Sequence, residues 1–545
     1  MPQDVVPTGP AELEGADSGT DLQGAAALIA LLQQRLGVEH VLTGAEDRAF
    51  YGQDMFSAGV TPACVVVAQE RESLADAIRL CTEAGFAVVP RGGGLSYTGG
   101  YQAIRPRTVT VDLSRLNRIL EINAEDMYVT VEVGCTWKQL FEALQPRGLR
   151  TPYFGPISGG QSTVGGALSQ NSIYWGTASY GTSASSVLGL QVLLADGDIV
   201  TTGSGAQSNQ PSPFFRNWGP DLTGMFLGDT GAFGLKLVAT LQLMPLPSQT
   251  RFLSFAFDTH QAMLTAMAQV ARAGLASECL GLDATIFGAR LKQESVTADL
   301  GYLRGVIRAG DTLLDGLSNA ARIALAGRKR FEDVEYAMHV TMSADSATIA
   351  DEQVRQVRRI GLGLGREIAA SFPRAARGNA YATGNGTMNA LGRRYIPVHG
   401  LAPHSRAEAV TTDVYAFFAS HREAMERLGI EFGMITAAVQ RTGVLIEALI
   451  YWEDQASLYH SRMIEPSVFE KLPKYAHSDE RNALVESLRA GLKQMFAGHG
   501  CCNLQIGKSY PYAPNLVPAT RALLERVKDA VDPRRLVNPG SLGLQ

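Results

Sequence analysis

An α+β architecture in two parts is predicted by three observations. From about residue 63 to residue 150, short apolar runs alternate with amphipathic stretches, the pattern of helices laid on a sheet. Near residue 248 the texture changes to longer strand-like runs separated by helices. Three glycine-rich segments, each adjoining a strand, all precede that change.

The first part begins with GAAALIALLQQRLG, whose apolar residues recur at helical spacing until Gly37 stops them. ACVVVAQ (63–69) reads as a buried strand, ESLADAIRLCTEAG as a helix ending at Gly85, and AVVP as the strand that closes a β-α-β unit. RTVTVDLS and MYVTVEVG are further strands, with TWKQLFEALQPRG a helix behind them. In ADGDIVTTGSGA, the Asp196-Gly197 pair predicts a tight hairpin turn. The second part contains the strands RFLSFAFD, EYAMHVTMS and VLIEALIYW, and DEQVRQVRRIGLGLGREIAASF reads as helical. An antiparallel sheet backed by helices is expected there. TRALLERVKDAVD is a last helix near the end.

At 545 residues the chain has room for roughly two to four domains. Hydrophobic residues at 46% and charged residues at 19% suit an enzyme with a large core. A net charge of −5 argues against a nucleic-acid binder. No apolar run reaches the ~18 residues of a membrane span. Residues 1–22, acidic and rich in Pro and Gly, are expected to form a disordered tail rather than a signal peptide. The six cysteines show no ligand spacing, so no metal and a cytoplasmic location are expected.

Neither standard nucleotide loop is present. No GxGxxG occurs, and the IGKS at 506–509 lacks the glycine a P-loop needs at position 502, where Cys502 stands. Glycine clusters have another use: successive N–H groups without Cβ atoms form a concave nest for an anion. Gly92-Gly93-Gly94 with Ser96 can supply such donors, and Arg91 a charge.

PRGGGLSYTGG (90–100), GPISGGQSTVGG (155–166), GDTGAFGLKLVATLQLMPLP (228–247) and the ending DPRRLVNPGSLGL resemble, in order and spacing, the vanillyl-alcohol oxidase/para-cresol methylhydroxylase (PCMH) flavoproteins. The resemblance implies a PCMH-type FAD-binding domain of two α/β subdomains over 23–247. An antiparallel-sheet cap at 248–490 and a return segment at 491–545 follow. It places FAD on Pro90, Arg91, Gly92, Gly93, Gly94, Leu95 and Ser96, with the diphosphate on the Gly92–Ser96 loop. It adds Pro156, Gly159, Gly160, Ser162, Thr163, Gly165 and Gly166, then Gly228, Asp229, Gly231, Gly234 and Asn538. Tyr395, in GRRYIPVHGLAPHSRAE, falls where relatives tether the flavin covalently; His399 and His404 follow it.

WGPDLTGMF (218–226) resembles the branch that oxidises alkylphenols and aromatic alcohols, whose members often self-associate. That implies hydride transfer from a benzylic or allylic carbon to flavin N5, then onward to oxygen or a redox carrier protein. The alternatives are a D-2-hydroxy-acid dehydrogenase, whose HxGDGNxH-type cap motif is missing, and a redox-neutral flavin-dependent transferase. Two departures matter. The Tyr-Arg pair that holds the phenolate becomes Leu504-Gln505, and an Asp over the flavin becomes Ile157.

Candidate catalytic groups therefore come from elsewhere. In VLIEALIYW, alternation puts Leu445, Glu447, Leu449 and Tyr451 on one face. A carboxylate there is costly unless partnered, by Arg441 for example, or used as a base. Lys508 and Tyr510 of QIGKSYPY, with His399, complete the candidate set. His339 and His499 read as a sheet histidine and a turn histidine.

Overall fold

A computed structural model describes residues 18–209, 212–286 and 334–544. Residues 1–17 of the expected tail lie outside the described residues. A helix, Ser18–Leu36, already begins inside the remainder of that segment.

Two sheets make the first part. In the first, β1 (Val41–Leu42), β2 (Cys64–Val67), β3 (Ala87–Arg91) and β4 (Thr108–Asp112) lie in the order β1-β2-β4-β3. Strands β2, β4 and β3 are parallel, joined by the helix Arg71–Glu83. That helix buries Leu74, Ala77, Ile78 and Cys81, the i, i+3, i+4, i+7 stripe visible in its sequence. In the second sheet, β5 (Ile119–Asn123), β6 (Tyr128–Glu132), β8 (Val187–Leu193), β9 (Ile199–Thr201) and β10 (Leu235–Gln242) are ordered β5-β6-β10-β8-β9. The pair β8–β9 is the hairpin expected around Asp196-Gly197. A short ladder of β7 (Leu149–Arg150) with β11 (Met244–Pro245) closes this part.

The cap is a seven-stranded antiparallel sheet. Its strands are β12 (Gln249–Phe257), β13 (Glu278–Asp283), β14 (Tyr336–Ala344), β15 (Arg366–Ile368), β16 (Arg394–Pro403), β17 (Glu431–Val439) and β18 (Gly443–Trp452). Their order is β15-β12-β14-β13-β17-β18-β16. Val444, Ile446, Ala448 and Ile450 face helices that carry Val410, Phe418, Leu488 and Phe496, and together they form the cap core. The opposite face of β18 is thereby left for a site.

One sequence expectation is corrected. The stretch 351–372 is not one helix: Ala347–Leu362 ends within the GLGLG motif, after Gly361, and β15 follows. A Cβ at Gly365 would stand 2.4 Å from the Ala256 carbonyl oxygen, so glycine lets the chain lie against β12. After the cap, the return segment pairs Cys502 with Leu401 on edge strand β16. It rejoins the first sheet through a parallel bridge between Val88 and Val537. No helix among the described residues is long and apolar enough to cross a membrane.

Candidate active site

The glycine segments converge on one cavity of about 210 Å³. Pro90, Arg91, Gly92, Gly93, Gly94, Leu95 and Ser96 border it, with Pro156, Ser162, Thr163, Gly165 and Gly166 of the second segment and Gly231, Gly234 and Lys236 of the third. Among the described residues, the backbone N–H groups of Gly92 through Ser96 have no acceptor within the protein. Arg91 is 4% exposed, and its guanidinium lies 4.4 Å from the ring centre of Phe50 and 4.5 Å from that of Tyr51. Its Nη1 is buried without a hydrogen-bond partner, as is Oε1 of Gln170, another lining residue. Buried polar atoms left unpaired in this way are rare unless a ligand completes them.

The second cavity, about 790 Å³, lies between the first part and the cap sheet. One wall is the expected face of β18, with Leu445, Glu447, Leu449 and Tyr451 all lining it. Pairing sets Glu447 opposite His399 on β16 and Ile435 on β17. Leu95, Tyr97, Pro156, Ser158, Ile173 and Gln505 border both cavities, so these residues form the junction between them.

Glu447 Oε1 is 3.9 Å from His399 Nδ1, and the carboxylate side chain is 18% exposed. Burial pushes His399 down to about 4, so the ring is neutral. Its Nε2 sits 2.9 Å from the Leu504 carbonyl oxygen, and its Nδ1 is 3.3 Å from the Tyr510 hydroxyl. Tyr510 borders neither cavity and stands behind His399, whose backbone N–H donates to its hydroxyl at 3.0 Å. Burial raises the phenols of Tyr510 and Tyr97, with Glu447 adding to both shifts, so each keeps its proton. Arg441 sits in the β17–β18 turn with its guanidinium beside Gly274.

The sequence profile of the FAD binding domain matches residues 62–203. This part of the chain is a FAD-binding domain. The first cavity fits that cofactor: consecutive unclaimed N–H groups, a buried guanidinium with a free donor and a loop whose glycines admit no Cβ suit a diphosphate. By fold, the chain is similar to 4-ethylphenol oxidase from Gulosibacter chungangensis (TM-score 0.70, 18% identity, 97% of this chain and 98% of that one). It is similar also to p-cresol methylhydroxylase (TM-score 0.69, 17% identity, 96% and 97%). The α+β expectation, a PCMH-type FAD-binding domain with an antiparallel cap, thus holds. Among curated proteins, the glycolate oxidase subunit GlcD of Bacillus subtilis is 30% identical over 37% of this chain and 41% of its own length. The mitochondrial cytochrome-linked D-lactate dehydrogenase of Arabidopsis thaliana is 30% identical over 39% and 36%. The chain spans less than half the length of these relatives.

Several expected cofactor and catalytic residues serve the FAD-binding domain differently. Gly159 and Gly160 do not border the cavity; the Gly160 N–H donates to Ala382 O, and a Cβ at Gly159 would strike Tyr381, so both admit the cap. The Gly228 N–H donates to Leu168 O. The Asp229 carboxylate is buried against Lys236 Nζ at 2.5 Å and the Gly231 N–H at 3.0 Å, which shapes the third segment. The Asn538 amide donates to Gly100 O and Thr230 O and stitches two glycine segments together. Lys508, expected among the catalytic groups, borders neither cavity, and its Nζ donates to Gln102 O and Asn538 Oδ1, both at 2.7 Å. Burial pushes that amine down to about 7. Tyr395 lines the second cavity alone, and its hydroxyl donates to Gly386 O.

His339 is the expected sheet histidine, bonded to Ser254 at 2.8 Å, and His499 ends a helix against Asp413. Tyr97 and Gln505, the junction pair, were missed. Gln505 has φ 49°, a left-handed conformation that a non-glycine residue adopts at a cost. Its side chain is hydrogen-bonded to the Tyr97 phenol.

The buried histidines give the chain an acid-sensitive stability. Burial holds His339 and His460 near about 3 and His399 near about 4, against 6.5 for an open imidazole. Below pH 6.5 the unfolded chain takes up protons that the folded one refuses. Each histidine therefore removes stability as pH falls from 6.5 toward 4, by about 1.4 kcal/mol per pH unit. Urea midpoints should drop steadily across that window, and His399→Asn should make the drop shallower. A flat profile would refute the assignment.

Proposed function

We propose that the chain is a FAD-dependent oxidoreductase acting on an uncharged substrate, at the benzylic or allylic carbon of an aromatic alcohol or alkylphenol. The observation that carries this reading is the charge of the second cavity. Among the described residues that line it, the only arginine or lysine is Arg393, held by Glu431 at 2.9 Å and Glu453 at 3.2 Å. His399 is neutral. Gln505 and Ile157 stand at the positions where the resemblance would put an arginine and an aspartate. A 2-hydroxy acid would bring a carboxylate toward Glu447 with no cation to receive it, a repulsion strengthened by partial burial.

Bound in the first cavity, FAD would supply the hydride acceptor. The chain's own contribution is to orient and to move a proton. The apolar walls from Leu445, Leu449, Ile435 and Leu280 hold an aromatic ring and exclude water. Tyr97 and Gln505 present neutral donors and acceptors at the junction. Glu447 accepts the proton of the alcohol or phenol, with neutral His399 beside it.

Dehydrogenation of a 2-hydroxy acid is the second reading, favoured by the names of the curated relatives. Anaerobic mixing separates the two. Bleaching of the flavin by a benzylic alcohol and not by D-lactate or glycolate supports the proposal. The reverse pattern overturns it, and bleaching by neither would point to redox-neutral chemistry. Reoxidation by air then distinguishes oxygen from a carrier protein as acceptor.

A further inference from the structure

The cofactor loop is held from behind by the cap. The Gly94 carbonyl oxygen accepts two hydrogen bonds, from the Tyr101 hydroxyl at 2.7 Å and from the Tyr459 hydroxyl at 2.8 Å. Both phenols are buried, Tyr459 fully. In a trans peptide the carbonyl and the following N–H point in opposite directions. The Leu95 N–H is therefore turned away from the two tyrosines; it has no acceptor among the described residues, and Leu95 borders both cavities. Gly94 has φ +71°, which lets the chain take this peptide orientation cheaply.

Tyr459 borders neither cavity. It lies on the helix Leu458–Met463, which follows the last cap strand and docks on the FAD-binding domain. Its own N–H donates to Gln53 Oε1, and Arg462 pairs with Glu46 and Asp47. The neighbouring carbonyl is held in the same manner. Gly93 O accepts from Gln161 Nε2 at 3.2 Å, and Gln161 Oε1 accepts the N–H of Gly384, another cap residue. Burial raises both phenols well above their ordinary range, so both remain donors at any working pH.

We propose that Tyr459 is a positioning residue for FAD: with Tyr101 it fixes the Gly94–Leu95 peptide so that its N–H faces the cofactor diphosphate, and FAD affinity thereby depends on cap docking. This rests on the FAD-binding assignment and is independent of the substrate. Removing the Tyr459 donor should let the peptide rotate and weaken a charge-assisted contact, without altering the lining of either cavity.

The test is Tyr459→Phe in the full chain. The Kd for FAD should rise about tenfold, the size of one such hydrogen bond. The melting temperature of the FAD-free protein and the KM for substrate at saturating FAD should not move. Tyr101→Phe should weaken FAD in the same way and serves if Tyr459→Phe folds poorly. An unchanged Kd in both variants, or a Kd that rises only together with a fall in the FAD-free melting temperature, would overturn the proposal. A wild-type chain that takes up no FAD would instead defeat the cofactor assignment.

Discussion

Replacing Glu447 with glutamine should lower turnover on a benzylic alcohol by about 100-fold or more, while the protein purifies with its full complement of flavin. Glutamine keeps the shape and the hydrogen-bonding reach of the side chain and loses only the ability to take a proton. The carboxylate sits on β18 between Leu445 and Leu449, with Ile435 across the strand pair, and opens into the second cavity alone. Flavin content should therefore be indifferent to it. His399 cannot take over as base, because burial holds it near about 4 and its Nε2 is occupied by the Leu504 backbone. Tyr510 and Tyr97 keep their protons. Glu447→Asp should recover part of the rate, since a shorter carboxylate still accepts a proton from a longer distance. Turnover by Glu447→Gln within a few-fold of wild type would remove Glu447 from the chemistry and leave it as a partner for His399.

Legibility in the sequence followed the range of the interaction. The face of β18 was readable because strand alternation is a local rule, and the four side chains it selected all line the cavity. The first glycine loop was readable because close backbone approach leaves a mark in composition that needs no partner to be seen. The junction was not. Tyr97 and Gln505 are about 400 positions apart, and nothing near either residue marks it until the return segment is laid along β16. Three of the expected residues share one placement. Asp229, Asn538 and Lys508 carry the polar chemistry expected of ligands, but each spends it inside the fold, on Lys236, on two loop carbonyls and on Asn538 itself. A polar residue in a motif can serve the shape of the loop as readily as the molecule the loop receives. Burial and pairing decide between those uses, and neither is written in a single sequence.

Gly93→Ala should abolish FAD binding, with at least a 100-fold rise in Kd and a colourless preparation. The reason is steric and local. A Cβ at residue 93 would stand 2.2 Å from the carbonyl oxygen of Gln161, a distance no real contact shows. That oxygen belongs to the backbone of the second glycine segment, where the Gln161 N–H donates to Ser158 O and the Gln161 side chain reaches Gly93 O and Gly384. It cannot swing aside as a side chain could. Relief must come from parting the two segments, which both border the cofactor cavity. Gly92→Ala makes the instructive comparison. Its Cβ would meet Thr163 Oγ1 at 2.3 Å, and that hydroxyl can rotate away by giving up the helix cap it offers to the Gly166 N–H. Losing such a cap costs about 1 kcal/mol, so Gly92→Ala should bind FAD more weakly and still be yellow. If the two variants bind FAD equally well, the loops are not pressed together as the Gln161 contact requires, and the first cavity is not the diphosphate site. If Gly93→Ala alone is colourless, the glycine at 93 is explained by what stands behind it, and the unclaimed N–H groups of the loop are free to meet the cofactor in front.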